Sequence, residues 1–416
     1  FLNEYKVKSS LSIPSLLNVL ADLLRRYSKH DPSLQQPFVP FYPLKIHKSS
    51  KLIKANYLIS SFFLLQYTFE QAMYHTQRGY MCVKTITSFP KSSPAIDGIV
   101  SLFDSNTGRL LLVWIVVLLK LTKKNKKIFP GSDAKEITAR RTAATSFLAT
   151  QVNRRIDPYL EFAFEENLSL LAIPKWSEQQ KENAVLTILG CGVQGQAHVD
   201  VFTELYRWKK VFFQLNKFFF DIEISSFLDL SMSRNRTHAI DLQSKFDRIE
   251  ILDDLNDVRI QQSDVICTCT ASETALIGVE QVKTGAHING LLFNKYQSVI
   301  LVFLSAVGSY RETMCELASE LLLSPNTTII VDSRESAMKE AGEIIQSKVR
   351  VVLFSLVLEK QMRLFLGTIT GELGELISNE EFTRDISKNK ITIFKSVGLA
   401  LEDLAAGIVL HDCLKN

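Results

Sequence analysis

Three glycines in the middle of the chain have the spacing of a phosphate-binding turn. They occur as Gly190-Cys-Gly192-Val-Gln-Gly195, directly after the apolar run 184–189 and before a helical pattern over 198–206. In a strand–turn–helix unit, the first glycine permits the tight turn, the second lets the backbone approach a pyrophosphate, and the third lets the helix pack closely on the strand. The pyrophosphate then lies on free N–H groups at the positive end of the helix. The motif predicts a dinucleotide-binding fold, and the alternative is a strand–helix turn that binds nothing.

Arg236 is the candidate residue for distinguishing NADP from NAD. Proteins that bind NAD place an acidic residue about 20 positions after the glycines. Asn235 lies 40 positions after Gly195, and without the 19 residues of 212–230, which interrupt an apolar strand, the separation is 21. The group Asn235-Arg236-Thr237 then falls at the expected place, where an arginine suits a 2′-phosphate. We therefore favour NADP over NAD, with a solvated surface turn as the alternative.

Short apolar strands alternate with helical patterns through the second half of the chain. Strands are predicted over 264–270, 286–289 and 328–332, and a helix over 335–345. This alternation is typical of an α/β fold with a doubly wound parallel sheet. A last helix, predicted over 396–413, carries one apolar stripe, and we expect it to pack away from the sheet on another domain or subunit.

Composition and charge limit the classes of partner. Of 416 residues, 46% are hydrophobic and 22% charged, which excludes a disordered chain. The net charge of +4 is too balanced for nucleic acid or a membrane surface. The longest uncharged apolar run, 110–119, is about half of the roughly 20 residues that a membrane span needs, so no membrane span is predicted.

The six cysteines include no Cys-x-x-Cys pair, so we expect reduced thiols, no metal and a cytoplasmic location. The start at Phe1 predicts a fragment without its true N-terminus or a secretory signal.

Segments running in order through the chain resemble the ornithine cyclodeaminase/mu-crystallin family, and within it the ketimine-reducing mu-crystallins. They include 97–108 (DGIVSLFDSNTG), 137–150 (ITARRTAATSFLAT), 189–196 (LGCGVQGQ), 331–344 (VDSRESAMKEAGEI) and 391–406 (ITIFKSVGLALEDLAA). The last is long and specific. The resemblance therefore extends well beyond the glycine motif.

The resemblance implies a two-domain homodimer that uses NADPH, with NADH as the less favoured cofactor. Residues 1–150, rejoined by a C-terminal helix at 396–416, would form an α+β substrate and dimerisation domain, and residues 151–395 the Rossmann domain. The cofactor contacts would come from Gly190, Gly192, Val193, Gln194, Gly195, Asn235, Arg236, Thr237, Thr268 and Ser396.

The activity implied by the resemblance is reduction of cyclic ketimines, of the thiomorpholine-carboxylate dehydrogenase type. Lys84 matches the family's active-site lysine and would hydrogen-bond the substrate or relay a proton. Arg141 would hold a carboxylate near the nicotinamide, with a structural ion pair as the alternative role. Glu340 would border the substrate, with a solvated helix face as the alternative.

Two other functions stay open at this point. The resemblance also implies thyroid hormone binding with little turnover. A cyclodeaminase-type lyase is the third interpretation. Those enzymes carry an aspartate where this chain has Tyr310 in Ala306-Val-Gly-Ser-Tyr310, which argues against deamination. The family's early substrate arginine is not evident after Gln36-Pro37.

Five stretches interrupt the family segments, which resume in frame after each one. They lie near 41–78, 114–130, 212–230, 291–305 and 348–370 and are rich in Phe, Leu, Val and Lys. They lack the turn chemistry of tolerated loops. We hypothesise that they are translated non-coding sequence, with genuine surface insertions as the alternative.

Overall fold

The computed structural model describes residues 4–35, 67–88, 96–115, 132–154, 183–190, 192–214, 249–252, 255–270, 272–291, 314–351, 368–379 and 391–415. These residues fall into two units. Unit 1 contains the described residues up to Arg141 and those from Leu399 onward, and unit 2 contains the described residues from Thr142 to Gly398. The first change of unit therefore falls after Arg141 rather than at residue 150.

Unit 1 is built on a mostly antiparallel sheet. Its described strands are β1 (Leu34–Gln35), β2 (Tyr67–His75), β3 (Tyr80–Ser88), β4 (Ile96–Asp104), β5 (Leu110–Ile115) and β6 (Ser132–Asp133), in that order across the sheet. Neighbours pair antiparallel except β5 and β6, which are parallel. Side chains of β3 alternate, so Cys82 and Lys84 share the buried face.

Unit 1 also contains described helices, one of which continues into unit 2. They are α1 (Glu4–Ser10), α2 (Ile13–Ser28), the first part of α3 (Ala134–Arg154) and α9 (Ala400–Lys415). Helix α9 packs on α1, α2, β2 and β3. The helix predicted over 396–413 begins too early, because Ser396 ends a strand and the helix starts at Ala400. The single predicted apolar stripe is also wrong, because every residue of α9 from Ala400 to Leu410 is buried.

Unit 2 contains a parallel sheet, which confirms the predicted Rossmann-type α/β fold. Its described strands are β7 (Val185–Leu189), β8 (Lys210–Gln214), β9 (Ile249–Leu252), β10 (Val265–Thr268), β11 (His287–Leu291), β12 (Thr327–Val331), β13 (Arg350–Val351), β14 (Thr368–Glu372) and β15 (Ile391–Ser396). Their order is β9-β8-β7-β10-β11-β15-β12-β14-β13, and all described pairs are parallel. The chain leaves β7 toward β8 on one side and later places β10 on its other side. The end of β7 is therefore the topological switch point, where such sheets bind ligands.

Described helices connect or follow these strands. They are the second part of α3, α4 (Val193–Leu205), α5 (Ser319–Leu322), α6 (Arg334–Glu340), α7 (Gly342–Gln346) and α8 (Leu373–Ser378). The single helix predicted over 335–345 is two helices, because Ala341 between them has extended backbone angles, φ −78° and ψ 100°.

The edges of the five stretches suspected to be foreign belong to regular strands. Residues 67–75 form β2, which pairs along its whole length with β3. Phe212 and Phe213 are buried and continue β8, so this strand runs past the predicted start of the third stretch. Residues 368–370 begin β14. The inner parts of the stretches lie outside the described residues.

Within the described ranges, no helix is long and apolar enough to cross a membrane.

Candidate active site

The glycine turn at the end of β7 has the close contacts that only glycine permits. Gly190 has φ +100°, and a Cβ there would lie 2.5 Å from the Cys269 carbonyl oxygen on the neighbouring strand end. A Cβ on Gly195 would lie 1.8 Å from the Gly190 carbonyl oxygen, so helix α4 packs directly on the turn. Both positions therefore exclude any larger side chain.

Gly192 differs from the other two glycines because a Cβ there would meet nothing within 4 Å. It is the N-cap of α4, and no side chain caps this end of the helix. The first N–H groups of α4 therefore lie uncapped at the positive end of the helix dipole. Gln194 in the first turn is buried, and no hydrogen-bond donor among the described residues reaches its Oε1. Val193 is 36% exposed. An open backbone approach beside uncapped N–H groups fits a dinucleotide pyrophosphate.

Thr268, predicted to contact the cofactor, ends β10 beside β7. Its hydroxyl donates to Glu316 Oε2 at 2.8 Å, and the Thr270 backbone N–H and hydroxyl donate to Glu316 Oε1 at 2.8 and 2.6 Å. Burial raises the pKa of Glu316 to about 7. Glu316 thus holds the segment that follows β10.

Ser396, the second predicted cofactor contact on a strand end, is buried at the end of β15. Its hydroxyl donates to Asp332 Oδ2 at 2.9 Å, and the backbone N–H groups of Val397 and Gly398 donate to the same oxygen at 2.8 Å each. Burial raises the pKa of Asp332, although these hydrogen bonds oppose the rise. One carboxylate therefore shapes the loop that carries Ser396.

Lys84 lies on the buried face of β3 and is paired. Its Nζ donates to Asp403 Oδ2 on α9 at 2.9 Å, and the two side chains are 5% and 0% exposed. Burial alone would raise the pKa of Asp403, but the charges of Lys84 and Arg141 outweigh burial and lower it. The Asp403 carboxylate is therefore ionised at neutral pH and is the counter-ion of Lys84.

Arg141 is buried in an ion pair with Glu402, the residue before Asp403 on α9. Its Nε also lies 3.7 Å from Asp403 Oδ1. Glu402 Oε1 accepts a hydrogen bond from the Leu399 N–H at 3.3 Å, so this carboxylate also closes the start of α9. The structural ion pair, which the sequence left as the alternative role of Arg141, is therefore present. Lys84 and Arg141 also share one neighbour, Asp403.

Four predicted residues are left, namely Asn235, Arg236, Thr237 and Glu340. Asn235, Arg236 and Thr237 lie outside the described residues. Glu340 ends α6 in unit 2 and is half-buried, and burial, reinforced by the charge of Asp332, raises its pKa to about 8.

Four acidic residues that organise the clusters were missed by sequence reasoning: Glu316, Asp332, Glu402 and Asp403. Asp332 directly follows β12, where a polar strand end is a usable signal. Glu402 and Asp403 stand in the first turn of a helix, where acidic residues are common for reasons of the helix dipole alone. Only the fold shows that they face Lys84 and Arg141.

The strand order and the glycine turn at the switch point define a Rossmann-type protein of the dinucleotide-binding class. Comparison with known proteins makes this more specific. The model of the ornithine cyclodeaminase/mu-crystallin family matches residues 301–416. The ketimine reductase mu-crystallin of Mus musculus is 27% identical over 99% of this chain and 94% of its own length. A Delta(1)-pyrroline-2-carboxylate reductase of Bacillus cereus is 34% identical over 37% of this chain and 38% of its own length.

A solved structure shows the same fold at low sequence identity. The Delta(1)-pyrroline-2-carboxylate reductase of Thermococcus litoralis, in complex with NADH and L-proline, has a TM-score of 0.62 and 17% identity, covering 100% of this chain and 97% of that one. These comparisons confirm the resemblance to the ornithine cyclodeaminase/mu-crystallin family that the sequence predicts.

Proposed function

We propose that this protein is an NADPH-dependent reductase of cyclic ketimines that carry a carboxylate next to the C=N bond. The observation that carries the proposal is that Lys84 and Arg141, which are distant in sequence, both lie beside Asp403. An ammonium group can protonate an imine nitrogen, and a guanidinium group can bind a carboxylate. The relatives named as ketimine and pyrroline-2-carboxylate reductases support the same reaction class.

The residues of unit 2 would hold the cofactor. The N–H groups at Gly192 and the first turn of α4 would bind the pyrophosphate, and Thr268 and Ser396 lie at strand ends of the same sheet edge. When bound, the reduced nicotinamide supplies a hydride. Arg236 would bind the 2′-phosphate as a fork, which is the reason to favour NADPH over NADH.

The residues of unit 1 would act on the substrate. The Lys84 ammonium would donate a proton to the imine nitrogen, because protonation makes the adjacent carbon a stronger hydride acceptor. The Arg141 guanidinium, anchored by Glu402, would share its N–H groups with the substrate carboxylate. In unit 2, Glu340 stays a predicted substrate contact, and its carboxyl, with a raised pKa of about 8, would donate a hydrogen bond when protonated.

The first test is turnover of Delta(1)-pyrroline-2-carboxylate with NADPH, followed by loss of the absorbance of the reduced nicotinamide and by formation of proline. We expect one proline for each NADPH consumed. A protein that retains NADPH but yields no proline from this substrate or from its six-membered-ring analogue contradicts the proposed activity.

The cofactor choice is tested by Arg236→Ala. Loss of a charge-assisted phosphate contact is worth about 1.4 kcal/mol or more, which is about tenfold in the dissociation constant for NADPH. The dissociation constant for NADH should change by less than about twofold, since NADH has no 2′-phosphate. Arg234→Ala, two positions earlier, is the matched control. Equal weakening of both nucleotides would remove the phosphate role.

Three further properties stay predictions from the sequence. They are homodimerisation, thyroid hormone binding with little turnover, and a cytoplasmic location. Hormone binding by NADPH-loaded protein that turns over no ketimine would favour the binding function over the enzyme.

A further inference from the structure

The Asp403 carboxylate on α9 directs its two oxygens at two different cations. Oδ2 accepts a hydrogen bond from Lys84 Nζ at 2.9 Å, and Oδ1 lies 3.7 Å from Arg141 Nε. Among the described residues, no donor hydrogen-bonds to Oδ1. One carboxylate therefore lies beside both residues proposed to bind substrate, and it holds Lys84 directly.

Stability alone does not account for this arrangement. The Lys84 and Asp403 side chains are 5% and 0% exposed, and desolvating such a pair often cancels its attraction. Replacement of buried ion pairs by well-packed apolar side chains is frequently neutral or even stabilising. The start of α9 is already closed by Glu402, so Asp403 is not needed as a cap.

We propose that Asp403 is a positioning residue for Lys84, an inference that rests on the proposed reductase function. An ammonium group has three N–H donors. Among the described residues Lys84 gives one of them to Asp403, which directs the other two N–H bonds away from the carboxylate. Asp403 holds the ammonium in one orientation, and the proton goes from Lys84 to the ring nitrogen of the substrate.

The proton balance of this step is complete. In the proposed step the C=N carbon would gain the hydride that a bound cofactor supplies, and the nitrogen would gain a proton from Lys84, so that the C=N bond becomes CH–NH. Lys84 is left as a neutral amine beside an ionised Asp403, and it then takes a proton from water. The carboxylate itself neither gains nor loses a proton.

The test compares Asp403→Asn, Asp403→Glu and the wild type with Delta(1)-pyrroline-2-carboxylate and NADPH. For Asp403→Asn we expect kcat to fall about 100-fold, within the range of general acid–base effects, while the KM for NADPH stays within about twofold. The solvent deuterium isotope effect on kcat should rise, because proton delivery becomes slower. Asp412→Asn, on the exposed end of the same helix, is the control and should keep the wild-type kcat.

Asp403→Glu separates positioning from folding. It retains the buried charge, so it should fold even if Asp403→Asn does not. Because the longer side chain displaces the carboxylate relative to Lys84, kcat should still fall more than about tenfold. If correctly folded Asp403→Glu and Asp403→Asn proteins both keep the wild-type kcat and isotope effect, Asp403 is structural and the proposal is wrong.

A readout without turnover distinguishes this inference from the reductase function. Acetylation of Lys84 by acetic anhydride, followed by peptide mass spectrometry, should be at least about fivefold faster in Asp403→Asn than in the wild type or Asp412→Asn, because loss of the counter-ion releases the amine. If all three proteins are acetylated at Lys84 at equal rates, or if none is acetylated, the positioning role is wrong. Absence of wild-type turnover with any ketimine overturns only the reductase function.

Discussion

The three glycines of the turn after β7 are required for different physical reasons. At Gly190 and Gly195 a Cβ would overlap backbone oxygens, at 2.5 and 1.8 Å. At Gly192 the space around a Cβ is open, and the backbone is extended, which any residue adopts. Folding therefore explains glycine at 190 and 195 but not at 192. A ligand that approaches the backbone explains the third.

Replacing single glycines separates these two requirements. Gly195→Ala should lower the free energy of unfolding by about 3 kcal/mol or more, because backbone must move to admit the methyl group. Gly192→Ala should change it by less than about 0.5 kcal/mol and yet weaken NADPH binding about tenfold or more. Urea denaturation and fluorescence titration measure the two quantities. A Gly192→Ala protein with wild-type affinity would show that no pyrophosphate lies against this residue.

Helix α9 shows at the level of an element what the sequence can and cannot predict. Its apolar residues correctly indicated a helix, and the parallel strands of unit 2 were readable as short, continuous apolar runs. The boundary at Ser396 was wrong because a buried strand and a buried helix have the same hydrophobic character. Burial of Glu402 and Asp403 could not be predicted, since their cationic partners lie on β3 and α3, far away in sequence.

The close packing of α9 gives a prediction for unit 1. A Cβ on Gly407 would lie 2.9 Å from Trp114 Cη2 and 3.1 Å from Leu102 Cδ1. Gly407→Val should therefore lower the free energy of unfolding by about 2 kcal/mol or more. In a Leu102→Ala background the same change should cost less, because the cavity accepts the new side chain. Urea denaturation of the four proteins gives the coupling energy, and strictly additive effects would contradict this packing.

At the scale of the whole molecule, the two kinds of candidate site belong to different units. The glycine turn and the strand ends with Thr268 and Ser396 are in unit 2, whereas Lys84, Arg141 and Asp403 are in unit 1. The chain changes unit after Arg141 and again before Leu399, so residues from both ends of the sequence complete unit 1. The cofactor and a substrate carboxylate are therefore expected to stabilise different parts of the chain.

Hydrogen exchange measured by mass spectrometry tests this assignment. A ligand at 100 times its dissociation constant stabilises the bound state by about 2.7 kcal/mol, and local opening of the elements that contact it slows accordingly. NADPH should protect peptides that contain Gly192–Leu205 and the end of β15. The unreactive carboxylate pyrrole-2-carboxylate should protect peptides that contain Lys84 and Asp403. Gly192→Ala is the control, because at the same NADPH concentration its NADPH protection should be clearly smaller while that of the carboxylate is kept. If NADPH protects neither the turn nor the end of β15, unit 2 does not bind the cofactor in the way proposed.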